Sequence, residues 1–108
     1  MSYNIIPTDK FKKEAKRLIK KYPSLKQELI DLSATLALNP DFGTSLGNNT
    51  YKVRIAIKSK NKGKSGGARV ITYLLTEELE IYLLTIYYKS EFDIIDDKIL
   101  RDIISSLK

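Results

Sequence analysis

The hydrophobic period of this chain changes once, and sharply. From Thr8 to Leu38 apolar residues recur at helical spacing, and from Tyr51 to Tyr88 they recur in β-type runs. Phe11, Ala15, Leu18, Ile19 and Tyr22 form one stripe of a first helix, which Thr8 or Asp9 can cap. Lys12, Lys13, Lys16, Lys20 and Lys21 are left on its wet sides. Pro23 interrupts that helix, and Ser24 with Gln27 has capping-box spacing for a second. Leu25, Leu29, Leu32 and Leu36 continue the second stripe until Asn39-Pro40. So short a joint predicts an antiparallel helical hairpin. Ahead of it, Tyr3 to Ile6 reads as a short strand ended by Pro7.

Asp41 to Thr50 is rich in Gly, Asn and Ser and reads as a loop. Three strands follow at Tyr51 to Lys58, Ala68 to Leu75 and Ile81 to Tyr88, the last apolar on both faces as a central strand would be. A final helix is expected from about Asp96, turning Ile99, Leu100, Ile103 and Leu107 inward. The order β-α-α-β-β-β-α predicts an α+β fold, a helical hairpin packed on a twisted antiparallel sheet. The 108 residues suit one domain spanning 1–108 with a single core.

Composition narrows the chemistry. No apolar run is long enough to span a bilayer, and the N-terminus lacks the charged start and apolar core of a signal peptide. With no cysteine there is neither a disulfide framework nor a thiol nucleophile, which suits the cytoplasm. The joint absence of Cys and His argues against a zinc site, and Asp93, Asp96 and Asp97 read as charges favouring a helix start rather than as metal ligands.

The net charge of +6 is concentrated in segments. Lys10 to Lys21 holds seven basic residues against Glu14, whereas Glu77 to Lys108 is acidic on balance. Between Asp41 and Glu77 there is no acidic residue, yet Lys52, Arg54, Lys58, Lys60, Lys62, Lys64 and Arg69 all fall there. Alternation puts Lys52, Arg54 and Lys58 on one strand face, with Val53, Ile55 and Ile57 turned to the core. A solvated face normally mixes charges, so a face of one sign points to a polyanion. Gly63-Lys64-Ser65 resembles part of a phosphate-binding loop, but the required earlier glycine is Lys58 and a β-run follows where a helix should. The glycines instead suit a flexible hairpin tip.

RNA brings its own nucleophile, the 2′-hydroxyl. Cleavage needs that proton removed, the phosphate stabilised and the leaving oxygen protonated. Without histidine, a lysine crowded by like charges can serve as base, arginine as phosphate clamp, and a tyrosine or second lysine as acid. Tyr73 and its neighbours can stack on bases, and Tyr88 beside Lys89 is the strongest candidate pair at the end of the last strand.

These strings resemble the RelE/ParE superfamily of type II toxin–antitoxin toxins, nearest its RelE- and HigB-like branch. The resemblance runs through "FKKEAKRLIKKYPSLKQEL", "YKVRIAIKSKNKGKSGGARVITYLL" and "IYLLTIYYKSE", covering nearly the whole chain. It implies helices on one side of an antiparallel sheet. It also implies a cofactor-free mRNA endonuclease acting in the ribosomal A site and neutralised by a cognate antitoxin. It assigns Lys52 as base, Arg54 as phosphate contact and Arg69 as transition-state stabiliser, and the remaining cations of the acid-free stretch, Lys58, Lys60, Lys62 and Lys64, are then expected to grip RNA backbone. Two departures stand out. The arginine often found after the last strand is replaced by Lys89-Ser90-Glu91, and no tyrosine lies near the C-terminus. Tyr88 and Lys89 are the candidates to fill those roles. A ParE-like gyrase inhibitor and an inactive antitoxin-binding relative are the alternative readings.

Overall fold

Residues 2–57, 67–88, 97–105 and 107 are described by a computed structural model. The elements are β1 (Asn4–Pro7), α1 (Asp9–Lys21), α2 (Leu25–Leu38), β2 (Thr44–Gly47), β3 (Thr50–Ile55), β4 (Ala68–Leu75), β5 (Glu80–Tyr88) and α3 (Asp97–Ser105).

Thr8 starts α1 and also ties it down. Its hydroxyl accepts from the Phe11 amide at 3.2 Å, which caps the helix, and donates to the Leu83 carbonyl at 2.9 Å. The helix stops at Tyr22, one residue before Pro23, and α2 begins at Leu25. The capping box expected at Ser24 is not formed. Ser24 has helical backbone angles, its hydroxyl donates to Glu28 at 3.3 Å, and Gln27 bonds Asp31 instead. A side chain in the helical region points away from the first-turn amides, so the spacing alone does not make the cap.

The five strands are ordered β1-β5-β4-β3-β2. Strands β2 to β5 form an antiparallel meander, but β1 runs parallel to β5, so the sheet is mixed rather than antiparallel as expected. Everything from α1 to β4 separates β1 from β5, so the connection is long enough for parallel pairing. Strand β2 also lies where a loop was expected. Asn48 and Asn49 both have positive φ, 53° and 64°, which is the geometry of a tight hairpin turn. The residues that made this segment read as a loop are the ones its turn needs.

Both faces of the sheet are covered. On one, Leu18, Tyr22, Leu25, Leu32 and Leu36 of the hairpin pack on Val53, Ile55, Val70, Ile81 and Ile86. On the other, Leu100 and Ile103 of α3 pack on Ile71, Leu84 and Tyr87. The arrangement with helices on one side is therefore corrected: α3 lies opposite the hairpin. A bulge between Ile71 and Thr72 on the β4–β5 ladder leaves Leu84 unmatched, and β5 beyond Leu83 has lost β1 as a neighbour. Glu14 of α1 serves this bare edge. It accepts from the Thr85 hydroxyl at 2.7 Å and the Ile86 amide at 3.3 Å, satisfying groups that no strand reaches.

Gly67 precedes β4 and was expected in a flexible tip. A Cβ there would run into the Ile55 carbonyl oxygen, so at this position glycine allows two backbones to approach closely.

Candidate functional site

Opposite residues of an antiparallel pair project from the same face of a sheet. Arg54 is the cross-strand partner of Arg69, and Arg69 is the partner of Tyr87. Arg54, Arg69 and Tyr87 therefore form a row across β3, β4 and β5, about 10 Å from end to end at usual strand spacing. Lys52, paired with Ile71, sits two residues from Arg54 on the same face. The cation-bearing face is thus the one that α3 partly covers.

The three cations differ in burial. Arg54 is exposed, Lys52 half-buried, and Arg69 only 5% exposed. The Arg69 guanidinium donates from Nη1 to the Ala68 carbonyl at 3.2 Å, which holds it low against the sheet. Among the described residues neither Lys52 nor Arg54 has an ion-pair partner. Like charges set directly opposite each other oppose sheet pairing. An anion between Arg54 and Arg69 would offset that repulsion. A phosphate matches both planar donors.

Tyr88 does not join this row. Its partner is Ala68, so it projects from the hairpin face, where its ring lies 5.3 Å from that of Tyr22. Tyr87 stands in the row instead. Sequence reasoning missed this because β5 is apolar on both faces, and its parity depends on a register that composition does not reveal. Tyr73 shares the cationic face but lies four residues from Arg69, roughly 13 Å along the strand. It pairs with Thr50 and Tyr82 beside the α3 cluster. Next to it, burial pushes the Tyr82 phenol above its ordinary value of 10.0, with Glu80 and Glu78 adding to the effect. Tyr82 therefore stays a donor, to Glu80 at 3.3 Å. Lys58, Lys60, Lys62, Lys64 and Lys89 lie outside the described residues.

The register thus sets two arginines opposite each other, with Lys52 two residues from Arg54. No family model matches the sequence. Among solved structures, an Escherichia coli RelE toxin mutant in the free state aligns with a TM-score of 0.64 at 14% identity, over 86% of this chain and 90% of that one. The isolated E. coli RelE toxin aligns at 0.54 and 12% identity, over 99% of this chain and 100% of the other. The intact E. coli RelBE toxin–antitoxin complex aligns at 0.53 and 15% identity, over 81% and 96%. All three alignments span most of both chains, and this chain has the fold of the RelE toxins.

Proposed function

We propose that this chain is a RelE-like toxin that cleaves mRNA on the ribosome and is held inactive by a cognate antitoxin. The observation that carries the reading is the Arg54–Arg69 pair in direct cross-strand register beside Lys52. In this scheme Lys52 takes the proton of the 2′-hydroxyl as that oxygen attacks the adjacent phosphorus. Arg54 and Arg69 take up the charge that develops on the phosphate oxygens. The bond from phosphorus to the 5′ oxygen breaks, a cyclic phosphate remains, and the leaving oxygen gains a proton from Lys89. Tyr87 is a positioning residue, packed beside Arg69 in the row. Lys58, Lys60, Lys62 and Lys64 add grip on the RNA backbone. No step requires a metal, and the setting is the cytoplasm, where ribosomes, mRNA and the antitoxin are found.

The test is induced expression with cleavage sites mapped on translated mRNA. The wild type should stop growth and cut messages within codons. Lys52→Arg keeps the charge but cannot give up a proton to become a base, so cleavage should fall by about 10²–10⁴. Arg69→Lys removes the two-pronged donor and should cost roughly 10²–10³ in rate. Double-strand DNA breaks with intact mRNA would instead place the chain among gyrase inhibitors. Full cleavage by both variants would overturn the site.

A further inference from the structure

Among the described residues three large apolar side chains are exposed: Ile30, Leu38 and Phe42. Phe42 alone of these carries an aromatic ring, and at 42% exposure it belongs to neither core. Single exposed apolar side chains are common, so exposure means little without position.

The register of β2 supplies the position. Ser45 pairs with Tyr51 and Thr44 with Lys52, so a step back along β2 is a step forward along β3. Gly43 keeps that step, because a Cβ there would lie 2.7 Å from the Lys52 carbonyl oxygen and 3.0 Å from Val53 Cγ2. The next residue back, Phe42, therefore meets β3 at the level of Arg54. Arg54 is the outer member of the row that runs through Arg69 to Tyr87. That row is closed at Tyr87, which is 3% exposed, and opens to water at Arg54 and Phe42.

The backbone is held on both sides of the ring. The Phe42 amide donates to the Asn39 carbonyl at 3.1 Å, which closes a turn at the end of α2. Gly43 has a φ of 111°, and any side chain there would collide with β3, so glycine sets the path by which Phe42 arrives. The surroundings decide what the ring receives. A protein helix would need apolar surface to continue onto the sheet, but the neighbours there are Thr44, Lys52 and Arg54, all polar. An unpaired base needs one aromatic face, and its phosphate needs a cation close by. The exposed Asp41 precedes Phe42 on the α2 side and repels a phosphate there, which leaves the sheet side as the approach.

We infer that Phe42 is the stacking platform for an unpaired base of the RNA whose phosphate Arg54 and Arg69 receive. The inference rests on the RNA reading of the cationic row, and adds to it the contact that fixes a nucleotide beside the reacting phosphate.

The chain contains no tryptophan, so Phe42→Trp puts a single fluorescent reporter at the proposed contact. It is made in a Lys52→Arg background, which keeps the charge and removes the proposed base. The protein is titrated at low salt with a short single-stranded RNA and with an abasic strand of the same length. The RNA should quench the tryptophan saturably, whereas the abasic strand should bind without quenching. With Lys52 restored, Phe42→Leu should lower kcat/KM for mRNA cleavage about tenfold, and Phe42→Tyr should match the wild type. Equal quenching by both strands, or none by the RNA, would overturn the inference, as would wild-type cleavage by Phe42→Leu. Emission that shifts to the blue with protein concentration, before RNA is added, would assign the ring to a contact between copies instead. Quenching by RNA in a protein whose Lys52 form leaves translated mRNA intact would sink the cleavage proposal and keep the base contact. Cleavage within codons beside an unresponsive tryptophan would do the reverse.

Discussion

At the scale of single residues, the decisive fact is parity. Tyr87 and Tyr88 are neighbours in sequence but project from opposite faces of β5, Tyr87 beside Arg69 and Tyr88 against Tyr22. Their roles should therefore separate under substitution. Tyr88→Phe keeps the ring contact and should leave RNA cleavage unchanged. Tyr88→Ala should lose roughly 1–3 kcal/mol of stability, since the ring pair goes along with half-buried apolar surface. Tyr87→Phe removes a hydroxyl on the cationic row and should lower cleavage without changing the fold. Denaturant unfolding read beside mRNA cleavage checks all three. A large cleavage defect in Tyr88→Phe with normal stability would return that residue to the site and refute the assignment by parity.

At the scale of elements, α1 is held to the sheet by its polar residues as well as its apolar stripe. Thr8 and Glu14 meet the carbonyls, amide and hydroxyl that β5 leaves bare beyond its pairing with β1. Glu14→Ala strands the Thr85 hydroxyl, which is buried, and the Ile86 amide, at an expected loss of about 1–3 kcal/mol. Thr85→Val removes one of those groups, so the double variant should lose less than the sum of the singles. Additive losses in that cycle would show that Glu14 does not act through Thr85. This contact also marks where the sequence stopped being informative. Helices α1 and α2 and strands β3 to β5 were legible because each repeats its own period. Glu14 was visible only as a lone acid among seven cations, with nothing local to name its partner. Strand β2 was hidden because Asn48 and Asn49 spell a turn, and the pairing that makes Thr44–Gly47 a strand is supplied by β3. The parallel partnership of β1 was equally hidden, since choice of neighbour is settled across the whole sheet. At the site, the cations Lys52, Arg54 and Arg69 could be read from alternation, while the third member of their row required the register of β4 on β5.

At the scale of the whole molecule, one sheet is shared by two cores. Leu18 of α1 is 1% exposed in the hairpin core, and Ile103 of α3 is 9% exposed in the other. Strands β4 and β5 contribute to both, through Val70 and Ile86 on one face and Ile71, Leu84 and Tyr87 on the other. If α3 were a separate appendage, weakening it would melt a small early transition and leave the main midpoint in place. Shared strands predict the opposite: loss of packing on either face should destabilise the same cooperative unit. Leu18→Ala and Ile103→Ala should each shift one unfolding transition, by about 2–5 kcal/mol, with the same denaturant slope. The arrangement also bears on the proposed chemistry, because α3 packs on the face that carries Arg54 and Arg69 and its partner Tyr87 lies in their row. Ile103→Ala should therefore weaken RNA cleavage at temperatures where the protein is still folded, whereas Leu18→Ala should not. Circular dichroism melts run alongside cleavage assays separate the cases. Two resolved transitions in Ile103→Ala, or equal activity loss in both variants, would show that α3 neither shares the core's cooperativity nor steadies the cationic row.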